Sequence, residues 1–529
     1  MHCIGCLHLR FLGFGFLVLC GSILQALGSI HEYENEVFAS RSNSFFVHGG
    51  NEGLYGSKIT AGRINSSSYD GKPFIRFEDL TFRRTKQSIA KHHNMQQRTG
   101  LVEAIIFEIQ DREKIGGLYF NSGSICCTPA LHKKKLCKVG EVIIRPNPEN
   151  PDWPKRIQTF FDGTSENTTM VTQTVELKNT GMYYLYFMFC DPQLKGLTVS
   201  GRTVWRNPKG YLPGKMTPLM TFYGFMSFAY LVLGLFWFLQ FARFLKDIMQ
   251  LHYYITGVIF LGMCEMAFWY FEYANFNSTG FRPKSITIWV VSLASIKKTV
   301  SRLLLLLVSM GYGVVRPTLG GMTCRVLLLG VAYFGACESL ELVEHLGNVN
   351  DFTGKARVFL VLSVALLDAW FILWIFSSLS KTLEKLQLRR SITKLELYRK
   401  FTNYLATSVL LSVAWIGYEL YFNAADPLSE HWQTAWMISA FWNVISYLLL
   451  VVICFLWTPS PNQNKYAYSE DTSDEFDEEA VPLTNTGLMK MTTLTGDTMN
   501  KLERKERKAT NTSDHMFGLV EDREEDKRE

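Results

Sequence analysis

Charged side chains inside long apolar runs are the residues of this sequence with the clearest capacity for chemistry. Five of them fall near the middle of predicted membrane spans, and these are Glu265, Lys297, Lys298, Glu338 and Asp368. A charged side chain at the centre of a bilayer costs roughly 2.5 to 3.5 kcal/mol when it faces lipid. Each of the five must therefore pair with an opposite charge or line a wet cavity.

The spacing of the charges indicates which of them share a helix face. Lys298 and Arg302 are four residues apart on one span, as neighbours on a helix face are. Glu338, Glu341 and His345 share a face of the next span. Because acids and bases stand on adjacent spans, mutual neutralisation that fixes helix packing is one interpretation.

A surplus of acids near the predicted luminal helix ends supports a second interpretation. The residues concerned are Glu272, Glu341, Glu344 and Glu419. Glu265 lies seven residues before Glu272 and shares its helix face. A negatively biased cavity open to the lumen would explain the surplus, although acids at helix termini can also be solvated at the interface without any cavity.

Seven apolar runs must position these charges. They cover residues 216–241, 253–275, 286–311, 326–346, 358–379, 401–422 and 432–457. Each has about the 20 residues that a helix needs to cross roughly 30 Å of hydrocarbon. Near the N-terminus Arg10 precedes a shorter apolar run, and small residues follow it, which predicts a signal peptide over residues 1–28.

The distribution of lysine and arginine predicts the orientation. Three loops on the predicted cytosolic side hold 11 basic residues, against four in or beside the luminal loops. The positive-inside rule therefore agrees with the signal peptide in placing the head in the lumen and the C-terminus in the cytosol. The net charge of +6 is small for 529 residues, so no nucleic-acid partner is expected. The excess positive charge lies in the third cytosolic loop. This loop is expected either to face anionic lipid headgroups or to bind a cytosolic partner.

Residues 29–206 are predicted to form a luminal, all-β head. Short β-rich runs occur at 74–80, 102–109, 117–120, 141–145, 157–161, 173–177, 182–189 and 198–205. Turn-forming residues separate them, which indicates an antiparallel β-sandwich. Residues 207–215 form a linker to the seven-helix bundle of residues 216–457, and residues 458–529 form a polar cytosolic tail that is expected to be disordered.

The cysteines of the head predict two disulfides. They are Cys126, Cys127, Cys137 and Cys190, and an oxidising lumen favours bridges among them. We reject a bridge between the two adjacent cysteines because it would be strained. Of the two pairings left, we favour Cys127 with Cys137 and Cys126 with Cys190. A metal site is the less favoured interpretation, and no cofactor or catalytic residue is expected.

Glycosylation triplets occur on the predicted luminal side. They begin at Asn65 and Asn167 in the head and at Asn277 between the second and third spans. Such triplets are frequent by chance, so each one alone is a weak signal.

Three segments carry a resemblance to a known family. Residues 180–191 resemble the closing strands of a GOLD-type sandwich, residues 207–214 (Asn-Pro-Lys-Gly-Tyr-Leu-Pro-Gly) form the linker, and residues 309–317 contain Gly-Tyr-Gly followed by Val-Val-Arg-Pro. Together they resemble the lung seven-transmembrane receptor family, also called GOLD-domain seven-transmembrane or GOST proteins, in its transmembrane protein 87 branch. The resemblance runs from the signal peptide to Trp457.

This resemblance implies a Golgi or endomembrane protein in transport between Golgi, endosomes and plasma membrane. We expect a non-enzymatic carrier or chaperone for a membrane-associated or lipidated cargo protein, with membrane lipid such as a phospholipid bound in the bundle cavity. A cation channel or pH-linked conductance and a ligand-sensing receptor are alternatives. The acidic run at residues 470–479 is either a contact for sorting machinery or a solvated tail.

Overall fold

The computed structural model describes residues 29–57, 71–92, 99–116, 124–135, 137–148, 150, 152–245, 248–315, 320–346, 354–426 and 429–459. Within these ranges a β-rich head comes first and seven long helices follow it. The predicted signal peptide, the triplet at Asn65, the predicted strand at 117–120 and the predicted tail from residue 460 onward lie outside the described residues.

The head is a sandwich of two five-stranded antiparallel sheets. In the first sheet, β1 (Ile30–Val37), β10 (Thr198–Arg206) and β4 (Phe74–Arg83) are neighbours in that order, and β7 (Asn167–Thr169) and β8 (Thr174–Glu176) pair with the two ends of β4. The second sheet has the order β2 (Ala39–Arg41), β3 (Ser44–Leu54), β9 (Gly181–Phe189), β5 (Thr99–Glu108) and β6 (Lys155–Phe161).

Alternating apolar residues in the central strands hold the two sheets together. Successive side chains of a strand point to opposite faces, so every second residue can enter the core. Leu185, Phe187 and Phe189 of β9 are fully buried and pack in one cluster with Ile75 and Phe77 of β4. This cluster is the core of the head.

Six of the eight predicted strands are confirmed, as β4, β5, β6, β8, β9 and β10. The prediction was wrong at residues 141–145, where Val142 and Ile144 form only isolated bridges. The sequence also failed to predict β1 to β3 and β7. In β3 the residues Gly49, Gly50 and Gly53 interrupt the apolar alternation, and glycine is depleted in strands.

Both disulfides of the head have the favoured pairing. Cys126 is bonded to Cys190, with a separation of 5.7 Å between their Cα atoms, and Cys127 to Cys137, with a separation of 5.9 Å. The first bond attaches the loop after residue 124 to the end of β9. The second closes a short loop that contains the helix Pro129–Lys133.

The seven helices match the predicted spans in number and order. They are α1 (Thr217–Arg243), α2 (Gln250–Thr279), α3 (Lys284–Ser309), α4 (Met322–Leu346), α5 (Gly354–Leu388), α6 (Ile392–Ala425) and α7 (Trp436–Leu456). Six of them are long and apolar enough to cross a membrane by length and composition alone. The exception is α3, because Lys297, Lys298 and Arg302 interrupt its apolar sequence.

Packing in the bundle is uneven along α5 and α6. We call the end of the bundle next to residues 207–215 the head end and the opposite end the far end. At the far end, Tyr398 and Phe401 of α6 are buried with their rings 5.8 and 5.3 Å from that of Trp457. Among the described side chains, none is buried in α5 before Phe371 or in α6 after Leu405. The head-end halves of these two helices are therefore loosely packed.

Candidate functional site

Helix α3 concentrates the basic side chains of the bundle. Lys297 and Lys298 are adjacent, so they point about 100° apart and reach different neighbouring helices. Arg302 shares the face of Lys298, as its spacing predicts. Ion pairs accordingly connect α3 with α2, α4 and α5.

The pair between α2 and α3 is fully buried. Lys297 Nζ lies 3.1 Å from Glu265 Oε2, and each side chain is only 3% exposed. The Lys297 ammonium group also lies 5.9 Å from the centre of the Tyr230 ring, within the range of a cation–π interaction. Such a pair compensates two charges that neither lipid nor the protein interior would otherwise tolerate.

A second buried pair lies at the head end. Arg282, in the connection between α2 and α3, donates to the carboxylate of Glu272, and Thr287 of α3 also donates to it at 3.1 Å. The guanidinium group lies 5.9 Å from the Trp269 ring and 5.8 Å from the Tyr273 ring. Glu272 is therefore neutralised and does not contribute to an acidic surplus.

Two further pairs on α3 are partly accessible. Lys298 donates to Glu341 of α4, whose other carboxylate oxygen lies 3.5 Å from His345 Nε2. Arg302 Nε donates to Asp368 Oδ1 of α5 at 2.5 Å. The Lys298, Arg302 and Asp368 side chains are 37%, 33% and 30% exposed. These groups border the loosely packed side of α5.

Two predicted acids have no basic partner among the described residues. Glu338 accepts a hydrogen bond of 2.6 Å from Ser292 Oγ, while its other carboxylate oxygen is buried without a hydrogen-bond partner. Glu419 is half-buried in the head-end half of α6, and the structure gives it no ion pair with a described residue. Of the four acids in the surplus expected from the sequence, Glu272 and Glu341 have basic partners.

Sequence reasoning missed the partners that lie outside the charged set. Arg282 was counted as a loop residue, although it is 6% exposed and closes the pair with Glu272. Thr287 and Ser292 gave no signal, because hydroxyl residues are common in membrane helices. The position of Arg282 two residues before α3 was the one available hint.

A tryptophan in the connection between α6 and α7 fastens these helices to the head. Trp432 is 2% exposed, and its ring centre lies 5.2 Å from that of Tyr55. A Cβ atom on Gly53 would lie 2.6 Å from the Trp432 ring, and one on Gly214 would lie 2.5 Å from it. The indole therefore occupies a slot that only glycine leaves open. Asp426 holds the connection in shape by accepting hydrogen bonds of 2.7 Å from two backbone amides.

A buried carboxylate lies at the base of the head beside the linker. Glu52 of β3 contacts His31 Nε2 at 3.1 Å and accepts a hydrogen bond of 3.2 Å from Ser29 Oγ. Ser29 also donates to the carbonyl of Tyr211 in the linker. Burial raises the pKa of the Glu52 carboxyl, and the contacts with His31 and Ser29 oppose that rise in part.

The two described glycosylation triplets differ in accessibility. Asn167 is exposed in the edge strand β7. Asn277 is half-buried, accepts a hydrogen bond of 3.1 Å from the amide of Leu212 and donates Nδ2 to the carbonyl of Lys209 at 3.2 Å. The atom of Asn277 that would carry a glycan is thus packed against the linker, whereas Asn167 is exposed.

Comparison with known proteins identifies relatives of the helical part of the chain. Residues 218–464 match a family described as "GOST, seven transmembrane domain". Transmembrane protein 87B of Mus musculus is 37% identical over 283 residues, which cover 53% of this chain and 50% of that protein. Transmembrane protein 87A of Homo sapiens is 33% identical over 281 residues, with the same two coverages.

A more distant relative aligns over more of the chain. Membrane protein PTM1 of Saccharomyces cerevisiae (strain YJM789) is 25% identical over 447 residues, which cover 78% of this chain and 80% of that protein. The chain spans about half the length of the transmembrane protein 87 relatives in these alignments. These matches and the seven helices confirm the resemblance seen in the sequence: this is a multi-pass membrane protein whose helical part, residues 218–464, matches the GOST seven-transmembrane domain and is similar to that of the transmembrane protein 87 relatives.

Proposed function

We propose that the chain is a non-enzymatic carrier or chaperone for membrane-associated cargo or lipid in traffic between Golgi, endosomes and plasma membrane. The observation that carries this proposal is the loose packing of the head-end halves of α5 and α6. Half-helices that fully bury none of their described side chains against the bundle can accommodate acyl chains beside them. The family resemblance supplies the cellular setting.

The inner face of α5 can be assigned from its burial pattern. Val364 and Leu367 are partly buried against the bundle core, and Asp368 reaches Arg302. Leu362 and Leu366 are 55% and 64% exposed and face outward. The helical spacing of these residues separates a face toward the opening from a face toward lipid.

In this proposal α6 forms the other wall of the opening, and α6 packs against α7. Trp415 of α6 stacks on Phe441 of α7 with ring centres 4.1 Å apart. At the bottom of the opening lie the pair of Arg302 with Asp368 and the ammonium group of Lys298, where α5 begins to bury side chains. An apolar cleft with a charged floor fits a ligand with a polar headgroup and an acyl chain.

In this proposal the head is luminal, the tail is cytosolic and contacts sorting machinery, and the protein resides in Golgi or endosomal membranes. The lysine and arginine distribution of the loops supports the orientation. The channel alternative relied on an acidic surplus, and two of its acids, Glu272 and Glu341, have basic partners. That pairing favours the carrier over the conductance.

The test is to narrow the opening from the inner face of α5. Val364→Trp and the matched outward variant Leu366→Trp would be purified in lipid nanodiscs, and co-purified lipids would be quantified by mass spectrometry alongside a cryo-EM map. We expect acyl-like density between α5 and α6 in the unaltered protein and a loss of bound lipid only in Val364→Trp. Thermal unfolding identifies a variant that has merely misfolded. Equal lipid content in all three proteins, with no density in the opening, would refute the carrier proposal.

A further inference from the structure

A small, partly open cavity lies in the bundle between α1, α2, α3 and α7. Its volume is about 30 Å³, which leaves room for at least one water molecule, since about 10 to 15 Å³ is enough to hold one. Apolar side chains form most of its wall, and four polar side chains also line it, namely Tyr230, Lys297, Ser301 and Ser446. The cavity is separate from the opening between α5 and α6.

Two buried hydroxyl groups lie at this cavity. Ser301 Oγ and Tyr230 Oη are buried without a well-aligned hydrogen bond to a described residue, although Tyr230, which is 0% exposed, faces the Lys297 ammonium group. A buried hydroxyl group without a hydrogen bond is costly. The same two residues line the cavity with the ammonium-bearing Lys297, so one small polar ligand could satisfy all of them.

We propose that one ordered water molecule occupies this cavity and bridges Tyr230, Ser301 and Lys297. Buried waters commonly make about three hydrogen bonds to groups that would otherwise be unsatisfied. Lys297 already has Glu265 as its counter-ion at 3.1 Å, so no net positive charge remains to attract an anion. The size and the neutral charge of the site therefore select water.

This water gives α7 a polar connection to the centre of the bundle. Ser446 of α7 lines the cavity opposite Tyr230 of α1 and Ser301 of α3. The water also supplies a hydrogen-bond acceptor to Lys297 in addition to the carboxylate.

Removal of the Tyr230 hydroxyl group should change the melting temperature in opposite directions in a water-filled and in a dry cavity. In a wet cavity, Tyr230→Phe deletes a hydrogen bond and lowers the melting temperature of the full chain in nanodiscs by about 2 to 4 °C. In a dry cavity the same substitution removes an unsatisfied hydroxyl group and raises the melting temperature. Tyr404→Phe is the matched control, because Tyr404 is 52% exposed and should leave the melting temperature unchanged.

A second variant tests the volume of the cavity. Ser301→Val fills it, which stabilises a dry cavity but expels a bound water and lowers the melting temperature. A cryo-EM map that resolves other waters should show a peak within hydrogen-bonding distance of both hydroxyl groups. An unchanged or raised melting temperature in Tyr230→Phe, or a map without that peak, overturns the proposal.

Discussion

The buried pair of Glu265 with Lys297 allows a quantitative test of how charge is held in this bundle. Lys297→Met leaves the Glu265 carboxylate uncompensated at a site where both side chains are 3% exposed. Removing one partner of a buried pair costs about 3 to 5 kcal/mol. The double variant Lys297→Met with Glu265→Leu removes both charges, and such replacements are often neutral or stabilising. We therefore expect the second substitution to restore most of the lost stability.

Thermal unfolding of the full chain in nanodiscs measures this effect. A loss of 1 kcal/mol lowers the melting temperature by roughly 2 to 4 °C in a domain of about 150 to 250 residues. Lys297→Met should therefore lower it by roughly 6 to 20 °C. No recovery in the double variant would show that Glu265 and Lys297 are not energetically coupled.

The pair of Arg302 with Asp368 is the matched control. Its side chains are 33% and 30% exposed, so water in the proposed opening can screen them. We expect Arg302→Met to cost less than about 1 kcal/mol, as partly solvated pairs do. If Arg302→Met lowers the free energy of unfolding as much as Lys297→Met does, the Arg302 and Asp368 side chains do not contact water. That result would refute a hydrated, charged floor of the opening.

Three further predictions concern the head and its junction with the bundle. Trp432→Ala should destabilise the junction by about 3 to 5 kcal/mol, seen as faster hydrogen exchange in the connection between α6 and α7, whereas Trp289→Ala, at a side chain 78% exposed, should not. Burial raises the pKa of Glu52, so the folded head gains stability as pH falls and loses it as pH rises through that pKa. Glu52→Gln should therefore raise the melting temperature at pH 8 more than at pH 4.5, and the opposite order would contradict this. Asn167→Gln should abolish a glycosidase-sensitive gel shift in secretory cells, whereas Asn277→Gln should leave it unchanged.

Much of the architecture could be predicted because it depends on local patterns of apolar and polar residues along the chain. The seven spans follow from apolar run length, and the strands β9 and β10 follow from alternation. Excluding a strained bond between Cys126 and Cys127 left two disulfide pairings, and the structure has the favoured one. Strand β3 was missed because its glycines serve close packing against Leu185 and Trp432, which no local pattern records.

The partners of the charged residues could be predicted only in part. Helical spacing correctly grouped Lys298 with Arg302, because the rotation of residues within one helix is fixed. The rotation of one helix relative to another depends on packing, so the sequence could not say that Lys297 meets Glu265. It also could not predict the slot for Trp432, which is formed by segments far apart in sequence.

The concentration of bases on α3 has a consequence for how the chain enters the membrane during synthesis. Three basic residues facing lipid would cost on the order of 8 to 10 kcal/mol, so α3 alone is a poor candidate for release from the translocon into the bilayer. Its counter-charges arrive on α2 before it and on α4 and α5 after it. We therefore expect α3 to enter the bilayer together with the helices that carry its counter-charges rather than alone.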